Sequence, residues 1–390
     1  MAECAGSIFP HAGMEVTMSI YSDLNIRPVI NATATLTKLG GSLMPAEVRE
    51  AMEEASRAFI QLDELQIKVG EKLAELTGNE AAYVATGAAA GLALTTAACL
   101  TGGDRENALL IPDREVMRAA GMKDEVLVFK SHRNGYDYSV RMTGAKIVDV
   151  GSESHSEPAD LENAISDRTA AFMWFQGGMT GRGDFPLEKV IEICTARGVP
   201  VLVDAAAQVP PVENLRRYTE MGATAAIFSG GKDLHGPQGT GLVVGRKWIV
   251  EAIRAIGSPN QGFARAMKVS KENMVGLLAA VKRYVGLDHE AKRDRDERVV
   301  AQWCSDFANL PGVRAERVFP NEAAQPLPRL LLHIDPATGL TGEIVSARLL
   351  AGEPSIAVAA ASDGIYLNPW LLTEEEVAIV ERRVREEISR

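Results

Sequence analysis

The stretch Phe228-Ser229-Gly230-Gly231-Lys232-Asp233-Leu234-His235-Gly236-Pro237-Gln238-Gly239-Thr240-Gly241 sets a lysine among small residues directly after an apolar run. A lysine so placed can condense with an aldehyde. The glycines let the backbone come close to a flat ligand, and Ser229 offers a hydroxyl to a phosphate. Read alone, the string suits a polar, glycine-rich turn with a solvated lysine equally well, so its surroundings decide.

Immediately upstream, Ala225-Ala226-Ile227-Phe228 reads as a short buried strand. One strand–helix unit earlier, Val199-Pro200-Val201-Leu202-Val203 runs into Asp204-Ala205-Ala206-Ala207-Gln208. An acid at the carboxyl end of a buried parallel strand lies where open α/β sheets bind ligands. Asp204 can pair there with a ring nitrogen, with Gln208 in the same ligand-binding set; a helix N-cap is the other use of such an aspartate. Earlier still, Ala81-Ala82-Tyr83-Val84-Ala85 leads through Thr86-Gly87-Ala88 into an apolar helix. Small residues at a helix start leave N–H groups free for a phosphate, so Thr86, Gly87 and Ala88 are phosphate candidates; close helix packing by small residues explains them as well. Val126-Leu127-Val128-Phe129 ends in Lys130-Ser131-His132, where His132 is placed to stack on a ring or to serve as an ordinary structural histidine.

The remaining pattern is helix alternating with strand. Pro45 opens a helix through Met52, and Glu64–Leu76 carries Leu65, Val69, Leu73 and Leu76 on one face before Gly78. Apolar runs at Ala108–Ile111, Ala145–Val150 and Ala170–Phe175, helices at Ala159–Ile165 and Leu187–Arg197, a surface helix at Val212–Met221 and a returning strand at Gly241–Gly245 follow. Arg265 and Lys268 lie in a basic loop suited to a carboxylate or phosphate, or simply to solvent. A long helix, Glu272–Tyr284, continues into the charged His289–Arg298 segment and crosses to a smaller C-terminal domain. That domain has strands at Arg329–Ile334 and Ile356–Ala359 and a final helix at Thr373–Ser389. The expected division is an N-terminal arm (1–45), a large domain (46–285) and a small one (286–390).

The 390 residues are 46% hydrophobic and 24% charged, an ordinary globular composition with room for a large core. A net charge of −11 argues against a nucleic-acid partner held by bulk electrostatics. Cys4, Cys99, Cys194 and Cys304 are far apart, which suggests neither a metal site nor a disulfide framework and fits a reducing cytoplasm. No apolar run is long enough to span a bilayer, and Met14 or Met18 is an alternative start.

Taken together, Thr86-Gly87-Ala88, Asp204, Ser229 with Lys232, and the segment from Arg265 through Glu272 resemble the fold-type-I enzymes that use pyridoxal 5'-phosphate (PLP). Within them the chain is similar to the selenocysteine synthase-like branch, which includes D-glucosaminate-6-phosphate ammonia-lyase. That resemblance implies an α/β fold of the aspartate aminotransferase-like, PLP-dependent transferase type. It further implies a mainly parallel seven-stranded sheet in the large domain, a small C-terminal α/β domain, and an active site at a homodimer interface. Lys232 would carry the cofactor as a Schiff base, and Asp204 would face its pyridine nitrogen. Arg265 matches one of the synthase's phosphate-binding arginines, whereas Lys268 replaces another. The pair Gly40-Gly41 stands where the synthase has a third, so transfer to tRNA is disfavoured and the Leu39-Gly40-Gly41-Ser42 form looks more like the lyase group.

The expected reaction is α,β-elimination from a small β-hydroxy or sugar-derived amino acid, phosphorylated or not, with release of ammonia. Lys232 would act as base, and Arg265 and Lys268 would hold the acidic end of the substrate. Racemisation, retro-aldol cleavage and transamination remain open alternatives, as does, further off, a non-catalytic PLP-binding role.

Overall fold

The computed structural model describes residues 20–390; Cys4, the starts Met14 and Met18, and the first part of the 1–45 arm lie outside the described residues. The strands, in chain order, are β1 (Val29–Asn31), β2 (Ala81–Ala85), β3 (Glu125–Phe129), β4 (Lys146–Val150), β5 (Thr169–Phe175), β6 (Val201–Asp204), β7 (Ala225–Ser229), β8 (Gly241–Gly245), β9 (Val313–Val318), β10 (Arg329–Ile334), β11 (Ser355–Ala357), β12 (Ala359–Ala361) and β13 (Gly364–Leu367).

Seven of them form the central sheet in the order β2-β8-β7-β6-β5-β3-β4. All neighbours are parallel except β8, which runs antiparallel to both β2 and β7. Every residue of β3, β5 and β6 is buried, because helices cover both faces of the sheet. The period-two alternation sends Phe172 and Trp174 of β5 into one core and Met173 and Phe175 into the other. Register pairs Phe175 with Asp204 and Asp204 with Ile227, so the carboxyl ends of β5, β6 and β7 finish close to level. This is the aminotransferase-like α/β arrangement.

The C-terminal part builds a second sheet, β12-β13-β10-β9, over a core of Trp303, Phe307, Leu332, Leu349, Ile365 and Val384. Helices His289–Phe307, Gly342–Ala351 and Glu374–Ile388 supply the other layer. The last is opened by a capping box between Thr373 and Glu376. β1 pairs in parallel with β11, and Ala32 lies in the same C-terminal core.

Several sequence expectations change here. The apolar run Ala108–Ile111 is no strand: Asp104 and Asp113 each cap a short helix (Arg105–Ala108 and Arg114–Ala119), and Leu109 is left exposed. The helix expected to run on from Glu272 stops at Val285, and Asp288 caps a separate helix by accepting from the Ala291 N–H. The run Ile356–Ala359 divides between two partners, β11 serving β1 and β12 serving β13. The helix expected at Val212–Met221 spans Asn214–Glu220 and buries Leu215 and Tyr218. Among the described residues no helix is long and apolar enough to cross a membrane.

Candidate active site

A cavity of about 400 Å³ opens at the carboxyl ends of β5, β6 and β7, and Asp204, Ser229 and Lys232 are on its wall. The turn that carries Lys232 is held from two sides. Within it, the Gly230 N–H donates to Thr240 O (2.9 Å) and the Gly236 N–H to Gly230 O (2.8 Å). From the N-terminal arm, the Ser42 hydroxyl lies 2.7 Å from Lys232 O and 3.0 Å from Gly231 O, and Gln238 Nε2 donates to Thr37 O (2.8 Å). Gly41 makes this approach possible. Its φ is +76°, and a Cβ there would lie 2.4 Å from Gly231 O.

Asp204 is buried at the end of β6, with Oδ1 accepting the Ala206 N–H at 3.0 Å. Burial pushes its carboxyl up to about 6, against the pull of that N–H and of Lys232. Burial likewise lowers the Lys232 ammonium from its ordinary value, with Asp204 opposing. Desolvation therefore prevails at both groups, and each is driven toward its neutral form.

The turn between β2 and the helix Ala88–Thr101 also faces the cavity through Gly87, at φ +89°, and Ala88. Gly241 of β8 packs against this turn so closely that a Cβ on it would sit 2.5 Å from the Gly87 carbonyl. Thr86 flanks the turn, its hydroxyl 3.5 Å from Gly239 O, and is not on the wall. Gln208 is on the wall, with its amide engaged: Nε2 donates to Ala323 O at 2.9 Å, fastening the 322–323 loop of the C-terminal part to the rim.

The structure does not bring the other expected residues to the cavity. His132 is fully buried, edge-on to Trp174 (4.6 Å between centroids) and Phe129 (5.4 Å), with Nε2 3.5 Å from Asp184 Oδ2. Burial lowers its pKa, and its ring is packed away from the cavity, so it is a core residue rather than a stacking platform. Arg265 and Lys268 are exposed and off the wall of this chain's cavity.

In their place the wall includes Asn134 and Tyr136, two and four residues beyond His132, and Thr35, Gln176, Gln238 and Glu322. Glu322 holds Arg329 (Nη1 to Oε2, 2.6 Å). The Arg329 guanidinium lies 3.9 Å above the Tyr366 ring, and its Nε is buried without a hydrogen-bond partner. No repeating pattern marks this loop in the sequence. The Pro-flanked arginine at the start of an apolar strand was the one visible signal.

These residues fit a PLP-sized group. A buried acid and a half-buried lysine share one cavity with a serine hydroxyl and an open helix-initial turn, the set that a pyridine nitrogen, an aldehyde and a phosphate require. Comparison with known proteins agrees. Residues 119–265 match the Aminotransferase class-V family. Over 382 residues the chain is 33% identical to D-glucosaminate-6-phosphate ammonia lyase of Salmonella typhimurium, covering 95% of this chain and 98% of the relative. A solved structure of D-glucosaminate-6-phosphate ammonia-lyase superposes with a TM-score of 0.83 at 32% identity, covering 96% of this chain and 99% of the other. The 5'-C-glycyluridine monooxygenase-decarboxylase of Streptomyces sp is 33% identical over 89% of this chain and 86% of its own length. An L-seryl-tRNA(Sec) selenium transferase of Solidesulfovibrio magneticus is 26% identical over 91% and 81%. Fold and site thus define a PLP-dependent enzyme of the aminotransferase-like class. More narrowly, the chain belongs to the selenocysteine synthase-like family that contains D-glucosaminate-6-phosphate ammonia-lyase.

Proposed function

We propose that this enzyme is an ammonia-lyase acting by α,β-elimination on a small β-hydroxy or sugar-derived amino acid, with or without a phosphate. The observation that carries the reading is the pair Lys232 and Asp204 on one cavity wall, the acid buried and the lysine half-buried, each driven by desolvation toward neutrality. Bound PLP supplies the electron sink for the pair left on the substrate α-carbon. Lys232 would anchor the cofactor and would take the substrate α-proton; a lysine with a lowered pKa is suited to that task. Asp204 would hold the pyridine nitrogen proton, and the Ser229 hydroxyl and the N–H groups after Gly87 would hold the phosphate. The departing β-hydroxyl leaves with the proton Lys232 has taken, as water, and the released unsaturated amine hydrolyses to a 2-oxo acid and ammonia.

For the substrate carboxylate we propose Arg329, whose unpartnered Nε and planar fork suit a carboxylate better than the single contact with Glu322. Arg265 and Lys268, exposed and away from this chain's own cavity, suit delivery to the acidic end of a substrate across a homodimer boundary. The proposal places the enzyme in the cytoplasm, acting on a small molecule without a nucleic-acid partner; the net charge of −11 supports the last point.

The test is ammonia release from a panel of D- and L-β-hydroxy amino acids and phosphorylated sugar amino acids, D-glucosaminate 6-phosphate included. It is read beside the visible spectrum of the PLP-loaded protein and of Lys232→Ala. The expected result is ammonia from one substrate class, with both ammonia and the visible band lost in the variant. Exchange of the α-proton with solvent but no ammonia from any substrate would overturn the lyase reading in favour of racemisation or transamination.

A further inference from the structure

Lys232 and Asp233 are adjacent, yet they belong to different environments. The lysine is on the wall of the cavity, whereas the Asp233 carboxylate is buried against the C-terminal part of the chain. Its Oδ2 accepts from the Tyr284 hydroxyl at 2.7 Å. Its Oδ1 accepts from Lys292 Nζ at 2.8 Å and from the Trp370 indole N–H at 2.5 Å. Tyr284 closes the helix Lys271–Val285, Lys292 lies in the first turns of His289–Phe307, and Trp370 follows β13.

The donors are themselves held. Arg295 of the same helix as Lys292 donates to Pro369 O (2.9 Å) and Leu372 O (2.8 Å) on either side of Trp370. Lys292 Nζ stands 5.5 Å from the centroid of the Trp370 ring. A carboxylate with three donors, one of them charged, is fixed in place, and a buried network that is fully satisfied transmits displacement rather than absorbing it.

We propose that Asp233 is a positioning residue. It ties the turn bearing Lys232 to the helix His289–Phe307 and Trp370, so that the seating of the C-terminal part sets how Lys232 is presented to the cavity. The inference rests on Lys232 being the cofactor's anchor. Lys232 is perturbed by burial and by Asp204, and Asp233 is not among its perturbing groups; the Asp233 carboxylate is paired with Lys292 at 2.8 Å. Loss of the Asp233 carboxylate thus acts on Lys232 through position. A loosened turn lets water reach the ammonium, so its pKa rises toward the ordinary lysine value.

The experiment compares Asp233→Asn with Arg295→Ala, which loosens the same C-terminal segment without touching the Lys232 turn. In the cofactor-free proteins, acetylation of Lys232 by acetic anhydride is followed across pH by mass spectrometry; in the PLP-loaded proteins, cofactor dissociation is followed by absorbance. For Asp233→Asn the acetylation midpoint is expected to rise by about one pH unit. Cofactor dissociation should quicken, and kcat should fall about tenfold with little change in KM, as expected of a misplaced catalytic group. Arg295→Ala leaves all three donors to the Asp233 carboxylate in place but loosens the segment that holds Trp370, so it should move the midpoint the same way by less. Trp370→Phe, which removes one donor and keeps a ring, should move the midpoint the same way by less, and it stands in should Asp233→Asn not fold. A parent-like midpoint and dissociation rate in both Asp233→Asn and Trp370→Phe, with only a lower melting temperature, would reduce Asp233 to a structural residue. Retention of the visible band in Lys232→Ala would instead remove the anchor assignment, whatever the Asp233 result.

Discussion

The hydroxyl of Ser42 lies 2.7 Å from the carbonyl oxygen of Lys232, joining the N-terminal arm to the turn that carries the lysine. The same hydroxyl is 3.0 Å from Gly231 O. Ser42→Ala removes this link, although Lys232 O keeps the His235 N–H at 3.0 Å, and the lost hydrogen bond costs about 1 kcal/mol. The expected outcome is a modest drop in melting temperature together with faster loss of PLP, read by dilution into cofactor-free buffer. An unchanged dissociation rate would show that the arm contributes nothing to holding the turn.

Gly40 and Gly41 offer a matched comparison. Both have positive φ, +88° and +76°, but a Cβ on Gly40 meets open space, whereas one on Gly41 meets the Gly231 backbone. Gly40→Ala should therefore cost only its backbone strain, about 1 kcal/mol. Gly41→Ala adds a collision that displaces the Lys232 turn, and should lower the urea midpoint further and impair cofactor retention. Equal effects of the two substitutions would contradict the close approach.

Asp204 predicts a pH dependence for the cofactor-free protein. Its folded pKa, about 6, lies above its ordinary value of 3.8, so the stability gained by holding the proton is complete below about pH 4. That stability is lost as pH rises through 6. A shift of about two units corresponds to roughly 3 kcal/mol, an upper figure because the lowered pKa of Lys232 is coupled to it. Asp204→Asn should thus be more stable than the parent at pH 8 and nearly equal to it at pH 4, in thermal melts of the cofactor-free proteins. With PLP bound, the same variant should be nearly inactive.

Arg329 and Glu322 separate by kinetics. If Arg329 receives the substrate carboxylate, Arg329→Ala removes a charge-assisted contact worth about 2 kcal/mol and raises KM by roughly thirtyfold. Glu322→Gln frees the guanidinium and should lower KM for the same substrate. A rise in KM for both variants would mean that Glu322 itself contacts the substrate.

The large sheet and the chemical pair were legible in the sequence because they follow local rules. Apolar runs end in an acid at Asp204 and in a serine and lysine at Ser229 and Lys232, and strand ends are where such residues gather. What escaped reading depends on direction or distance. His132 was drawn from the correct loop, but whether its ring turns to the cavity or to Trp174 is decided by packing; Asn134 and Tyr136, a few residues on, are the ones that face inward. β9 reads Val-Arg-Ala-Glu-Arg-Val and lies at a sheet edge with charged residues exposed, so it carried no apolar run to find. Glu322 reaches the cavity wall from the C-terminal part and holds Arg329 behind it, and no spacing in the sequence encodes that meeting.

The pairing of β1 with β11 also governs the order in which the protein can be completed. Val29–Asn31 finds its strand partner only at Ser355–Ala357. A nascent chain therefore leaves the ribosome with its first strand edge bare, and at ordinary synthesis rates that edge waits on the order of half a minute for its partner to emerge. The central sheet, whose strands all lie between Ala81 and Gly245, can assemble during that interval. An unpaired edge is a site for chaperones and for misassociation alike. For this chain, the emergence of Ser355–Ala357 is what lets β1 pair.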